Sequence, residues 1–245
     1  MRIGVYGLGR FGSLWASLLS RQHEVLAYNR SPERPTPEGV RRVEREELGS
    51  CDGVFLCTAI SAVEATCRDL LPVLRPKQVV LDTCSVKSYP LETMDRILPE
   101  TLETVGTHPM FGPDSVSDGF GGLPTVISPG RCSSETVKTW RTLLEGLGLR
   151  VIPMSAEAHD REAAYTQGIT HFVGRLLDSL NVRPSGIATL GYQKILEVVE
   201  QTCNDPYQLF VDLQRFNPYT SRMRRDLRAS FDQLLVELDS ATPDE

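Results

Sequence analysis

His108 is one of four histidines in the 245 residues, and its setting marks it for proton transfer. It stands in Gly106-Thr107-His108-Pro109-Met110-Phe111-Gly112-Pro113-Asp114-Ser115, at the end of a β-rich run and ahead of a loop stiffened by proline. Imidazole is the side chain whose ordinary pKa best suits acid–base work near neutral pH. Upstream, Asp82-Thr83-Cys84-Ser85-Val86-Lys87 follows another short apolar run. Open α/β sheets gather their ligands at the carboxyl ends of such strands. Both segments therefore stand where such sheets place ligands, with His108 as the candidate for proton transfer.

A second constellation binds rather than reacts. Gly7-Leu8-Gly9-Arg10-Phe11-Gly12 fits G-x-G-x-x-G, follows an apolar strand and opens an amphipathic helix. In that context Gly7 allows the tight turn, Gly9 lets backbone approach a pyrophosphate, and Gly12 lets helix and strand pack closely. The helix start then offers free N–H groups to the anion. The next strand ends at Tyr28-Asn29-Arg30-Ser31, with no acid before Glu33. An NAD site usually places Asp or Glu there for the ribose 2′-hydroxyl. Arg30 can instead pair with a 2′-phosphate and Ser31 can donate to it beside the neutral Asn29, so the expected cofactor is NADP.

These groups need a scaffold, and the patterning supplies one. Strands read at Arg2–Tyr6, Glu24–Tyr28, Gly53–Cys57, Gln78–Asp82, Glu103–Gly106, Pro124–Ile127 and Arg150–Ile152. Helices read at Phe11–Arg21, Ser61–Leu74, Pro90–Leu98 and Ser134–Leu147. Alternation of this kind predicts an α/β, Rossmann-type, doubly wound parallel sheet. Past Pro153 the strand signals stop, and the chain reads as helices from Ala156 to about Leu238. Breaks fall at Arg183-Pro184-Ser185-Gly186, Asn204-Asp205-Pro206 and Asn217-Pro218, since proline fixes φ and removes a donor. The expected domains are 1–153 for the nucleotide and an all-α 154–245 for substrate and dimerisation. Ala241–Glu245 reads as disordered.

On the helix from Ala156, the positions Asp160, Ala164, Gln167 and His171 fall along one face at regular α-helical spacing, and Gln167, Thr170 and His171 are candidate substrate-lining residues. His159-Asp160 reads as mainly architectural, fixing the helix N-terminus.

Composition excludes several classes. With 26 basic and 32 acidic groups the net charge is −6, which gives no electrostatic footing for nucleic acid. No apolar run reaches the roughly 18 residues of a membrane span. Glycines at Gly4 and Gly7 interrupt the N-terminal run too early for a signal-peptide core. The six cysteines show no CxxC and no histidine at ligand spacing, so neither metal nor a disulfide scaffold is expected, and a reducing cytoplasm is. Arg222-Met223-Arg224-Arg225 with Arg228 reads as a solvated helix face or subunit contact.

Together these segments resemble the prephenate/arogenate dehydrogenase family of tyrosine biosynthesis, closest to its plant-type branch. The carrying residues are Gly7–Gly12, Phe55-Leu56-Cys57-Thr58, Asp82–Lys87, His108–Pro113, Ala158-His159-Asp160, Gln167-Gly168-Ile169-Thr170-His171-Phe172, Gly191-Tyr192, Asp212-Leu213-Gln214 and Asn217. The resemblance implies NADP-dependent oxidative decarboxylation of a cyclohexadienyl substrate, arogenate or prephenate. It implies His108 as base, Ser85 orienting His108 or the nicotinamide amide, and Cys57 and Thr58 against the cofactor. It implies Asp205 near the substrate side chain, where a carboxylate would select the ammonium of arogenate. The Gly-Phe-Arg-Asp-type loop of long bacterial members is missing, and Asn217-Pro218 stands where many prephenate users have Asn-Arg. Lys194, Arg215 or a partner-subunit arginine are then the candidate carboxylate anchors. A helical domain too thin to bury every apolar stripe implies a symmetric homodimer. No fused mutase or regulatory domain is expected in this chain. Other readings are a prephenate-specific enzyme, an NADP-linked reductase of β-hydroxyacid dehydrogenase or imine reductase type, and a non-catalytic NADP sensor.

Overall fold

The structure is a computed structural model that describes residues 1–241. It divides into two compact units, Met1–His159 and Asp160–Glu245.

The first unit is built on β1 (Arg2–Tyr6), α1 (Arg10–Ser20), β2 (Glu24–Tyr28), β3 (Val40–Arg42), β4 (Gly53–Leu56), α2 (Val63–Leu70), β5 (Val79–Asp82), α3 (Ser88–Ile97), β6 (Glu103–Pro109), β7 (Pro124–Pro129), α4 (Ser134–Gly146) and β8 (Arg150–Pro153). Its eight strands lie in the order β3-β2-β1-β4-β5-β6-β7-β8. Neighbours are parallel except β6 and β7, which are antiparallel. Every residue of β4 and β5 is buried, the near-continuous apolar run that a strand covered on both faces requires. Trp15 of α1 and Trp140 of α4 both meet Phe55 of β4 edge-on, with ring centroids 5.4 and 5.5 Å away, so one strand residue ties two helices to the sheet. The chain's winding reverses where β1 lies between β2 and β4, which opens a crevice at the carboxyl ends of β1 and β4.

Three elements differ from the sequence reading. The helix expected over Ser61–Leu74 is shorter: a 3₁₀ turn at Ile60–Ala62 leads into α2. Strand β6 runs past Gly106 to Pro109, because its pairing with β7 continues through Thr107↔Ile127, His108↔Val126 and Pro109↔Thr125. The edge strand β3 was not anticipated; it is three residues, Val-Arg-Arg, without an apolar alternation.

The second unit is helical. The element α5 (Ala156–Ala163) begins in the first unit, which includes His159, and continues in the second as a π turn over Ala164–Gly168; then come α6 (Ile169–Ser179), α7 (Leu190–Asn204), α8 (Tyr207–Phe216) and α9 (Thr220–Ser240). Residues 242–245, most of the tail read as disordered, lie outside the described residues. The helices α6 and α7 pack so closely that a Cβ on Gly174 would stand 2.1 Å from Thr202 Oγ1. The π turn corrects the expected face. A π turn adds one residue to the helical repeat, so the buried side passes through Asp160, Ala164, Gly168, His171 and Gly174, and Gln167 is only half-buried. Backbone carbonyls beside the turn are taken by side chains: Gln214 Nε2 donates to Gly168 O at 2.9 Å, and the buried Asn217 Nδ2 donates to Asp160 O at 2.8 Å.

Candidate active site

The glycine loop joins β1 to α1, and each glycine answers to a different constraint. Gly7 has φ +108°, and a Cβ there would lie 2.5 Å from Cys57 O. A Cβ on Gly12 would lie 2.0 Å from Gly7 O and 3.0 Å from Cys57 Cβ. Around Gly9, by contrast, a Cβ would meet no heavy atom within 4 Å. The loop is therefore closed on the side of β4 and open at Gly9. No side chain caps α1 and no acid occupies its first turn, which leaves its first N–H groups for an anion. These features fit the pyrophosphate of a dinucleotide.

Leu8 is buried, and its N–H is held by Asn29 Oδ1 at 2.8 Å, while Asn29 Nδ2 donates to Ser31 O at 2.9 Å. Asn29 thus ties the glycine loop to the loop after β2. Arg42, from β3, completes that loop by donating to the carbonyls of Asn29, Ser31 and Arg34. Arg30 and Ser31 are exposed on it. Arg10 Nη2 donates to both carboxylate oxygens of Asp114 at 2.9 Å, and this pair fastens the loop after β6 to the glycine loop. Phe11 stacks on Trp15 and tilts against Phe111. Cys57 packs beneath Gly7 and Gly12, and burial pushes its thiol up to about 12, so it stays protonated and inert. The Thr58 hydroxyl accepts from Thr66 Oγ1 at 3.4 Å.

His108 is buried in β6, and its Nδ1 lies 2.8 Å from Nε2 of His159, also buried, on α5. Burial holds the His108 imidazole well below the usual histidine range, and the neighbouring His159 and Lys87 add to that effect. A ring held neutral at physiological pH can accept a proton. Beneath it lies a buried ion pair. Lys87 Nζ bonds Asp82 Oδ1 and donates to Thr107 O at 2.5 Å, and both charged residues are fully buried. Cys84 N donates to the same carboxylate at 2.8 Å, and Thr107 Oγ1 donates to Asp82 O at 2.5 Å. The ends of β5 and β6 are thus locked together one residue from His108. Ser85 is buried in the same turn.

In the helical unit, His171 is buried with Nε2 3.9 Å from Asp205 Oδ2, and its Nδ1 has no hydrogen-bond partner. Burial lowers its pKa against the opposing pull of Asp205. Gln167, on the π turn, likewise keeps a buried Oε1 without a partner. Thr170 donates to Thr166 O within its own helix at 3.0 Å. Arg175 donates to the carbonyls of Thr202 and Asp205 at 3.0 and 2.7 Å and lies over the rings of Tyr207 and Phe210. Lys194 and Arg215 are exposed. The structure thus brings Gly7 to Gly12, Asn29, Cys57 and Thr58 to one crevice, and His171 to Asp205 in the second unit. Sequence reading missed Arg42, Arg175, the Asp82–Lys87 pair and the contact of His159 with His108. Only a histidine in the quoted Ala158-His159-Asp160 segment hinted at the last.

The model for the nucleotide-binding domain of prephenate dehydrogenase matches residues 22–153, and a TYRAAT1-like C-terminal domain matches residues 176–245. Arogenate dehydrogenase 2, chloroplastic, of Arabidopsis thaliana is 32% identical over 97% of this chain and 70% of its own length. Arogenate dehydrogenase 1 of the same plant is also 32% identical over 97% of this chain, which spans 39% of that relative. Among solved structures, Synechocystis arogenate dehydrogenase superposes with a TM-score of 0.72 at 24% identity, covering 98% of this chain and 92% of that one. Prephenate dehydrogenase from A. aeolicus, in complex with hydroxyphenyl propionate and NAD+, gives 0.75 at 18% identity with the same coverage. Fold and site define a nucleotide-binding dehydrogenase with a helical second unit. Within that class the chain belongs to the prephenate/arogenate dehydrogenase family.

Proposed function

We propose that this chain oxidises and decarboxylates arogenate to tyrosine with NADP. The observation that carries the reading is His108, buried near the carboxyl end of β6 with Nδ1 engaged by His159, in the same compact unit as an open dinucleotide cradle. When bound, NADP supplies the hydride acceptor. His108 takes the proton of the 4-hydroxyl as C4 gives up hydride and the C1 carboxylate leaves as CO2, and aromatisation of the ring drives the reaction. General base action of this kind contributes about 10²–10⁴-fold. With Nδ1 engaged by His159, Nε2 is the nitrogen for substrate, and Ser85 has Nε2 or the nicotinamide amide as its partner.

Residues 1–153 serve the cofactor and 154–245 the substrate and the dimer. Arg30 and Ser31, exposed with no acid near them before Glu33, support NADP over NAD. Gln167, Thr170 and His171 line the substrate; the unpartnered buried atoms on Gln167 and His171 support this. Asp205 reads the ammonium of arogenate. Phe231, Leu234, Leu235, Val236 and Leu238 are exposed along α9, an apolar stripe that a symmetric homodimer would cover. The free cysteines support a cytoplasmic setting; the Arabidopsis relatives are chloroplastic by name. No described helix is long and apolar enough to cross a membrane.

The test is NADPH formation from arogenate, prephenate and a panel of hydroxyacids. Turnover of arogenate above prephenate is expected; no turnover of either cyclohexadienyl substrate, with oxidation of a hydroxyacid, would overturn the reading.

A further inference from the structure

Of the buried titratable groups that the reaction itself leaves untouched, His159 is the one in direct contact with the proposed base. His159 is as buried as His108, comes from a different element, α5 rather than β6, and spends its Nε2 on His108 Nδ1 at 2.8 Å with the rings 71° apart. When both rings are uncharged, that bond can be shared in two ways. If His108 carries its proton on Nδ1, it donates to His159, and its Nε2 lone pair is free to act as a base. If His159 carries its proton on Nε2, it donates to His108, whose proton must then sit on Nε2, where no proton can be accepted. The same contact either enables or abolishes the base.

We propose that His159 is a positioning residue that selects the working tautomer of His108. Its Nε2 accepts the Nδ1 proton of His108, which directs the Nε2 lone pair of His108 toward the substrate hydroxyl. When His108 takes up the substrate proton, the resulting imidazolium still donates through Nδ1 to the same acceptor, so no hydrogen bond is lost as charge develops. Such an acceptor behind a catalytic histidine sets both the orientation and the tautomer of the ring. The buried Lys87–Asp82 pair works toward the same end from below. Lys87 holds Thr107 O and fixes the backbone adjoining His108, while its positive charge opposes an imidazolium in the resting protein. An acceptor is thus needed most at the moment of proton transfer. The role rests on His108 being the base of the proposed reaction, but the tautomer does not.

The experiment has two arms. In the first, ¹⁵N spectra of histidine-labelled protein at neutral pH, without substrate, report which nitrogen of His108 carries the proton. Protonation at Nδ1 is expected; protonation at Nε2 would overturn the proposal whatever the enzyme's substrate. In the second, His159→Leu and His159→Gln are compared with the unaltered chain. Glutamine can present Oε1 where His159 Nε2 stands, so it retains an acceptor; leucine cannot. His159→Leu should lower kcat with arogenate by about 10²-fold with KM and NADP affinity little changed, and His159→Gln should restore kcat to within about tenfold. Equal losses in the two variants, or loss confined to KM, would show a merely structural contact. Should His159→Leu not fold, the tautomer of the unaltered chain and the kcat of His159→Gln decide. A chain that turns over no cyclohexadienyl substrate but shows His108 protonated on Nδ1 would refute the function and leave the tautomer assignment standing.

Discussion

Replacing Lys87 with methionine isolates the interaction that holds β5 to β6 under His108, the proposed base. Lys87 and Asp82 are both fully buried, and Lys87 also donates to Thr107 O. Lys87→Met therefore leaves a buried carboxylate with its Cys84 N–H bond and no counter-charge. Removing one partner of a buried pair costs about 3–5 kcal/mol, and at about 2–4 °C per kcal/mol for a unit of this size the melting temperature should fall by about 6–20 °C. Burial already pushes the Asp82 carboxyl up against the pull of Lys87; without Lys87 it rises further and the variant folds with Asp82 protonated. A group whose folded pKa lies above its unfolded value stabilises fully below the unfolded pKa, about 3.9 for Asp, and loses that contribution as pH rises through the folded pKa. The deficit against the unaltered chain should then be small near pH 4 and grow toward pH 8. Adding Asp82→Leu removes the stranded charge and the unpartnered Asp82 Oδ2, and should recover most of the loss. Urea and thermal unfolding of the three proteins across that pH range provide the assay. A single variant within about 1 kcal/mol of the unaltered chain at every pH, or a double variant no more stable than the single, would refute the reasoning.

The open and closed sides of the glycine loop separate two further substitutions. Gly9→Ala meets no atom within 4 Å, so it should leave the melting temperature unchanged while weakening NADP binding at least tenfold. Gly12→Ala drives a Cβ to 2.0 Å from Gly7 O and should destabilise by about 1–3 kcal/mol; thermal unfolding with cofactor titration checks both. Arg30→Asp should raise the NADP Kd by more than tenfold and leave NAD little affected, and equal losses by titration would reject the 2′-phosphate role. Asp205→Asn should shift kcat/KM from arogenate toward prephenate by about tenfold, read from the two substrates in parallel, with unchanged selectivity counting against it.

The β1–α1 crevice was legible because its signal is local: three glycines within one turn, flanked by an apolar strand and an amphipathic helix. The strand-end position of His108 was legible for the same reason. What escaped is carried by contacts between distant residues or by geometry without a sequence mark. His108 and His159 are 51 residues apart, and no spacing rule joins them. Asp82 and Lys87, five residues apart, fit neither helical nor strand periodicity, so nothing in their spacing marks them as a buried pair. The π turn at Ala164–Gly168 has no mark in the apolar pattern, and it puts Gly168 rather than Gln167 on the buried side while His171 stays there. Strand β3 is too short and too basic to announce itself; Arg42 reveals its purpose only through the loop carbonyls it holds.

The most direct measurement is NADPH formation from arogenate by the unaltered chain and by His108→Asn, each with its NADP affinity determined by titration. Turnover should fall by at least about 10²-fold in the variant, with NADP affinity unchanged and with tyrosine and CO2 formed in step with NADPH by the unaltered chain. A variant that still turns over arogenate at a comparable rate, or an unaltered chain that binds NADP and leaves arogenate untouched, would contradict the account.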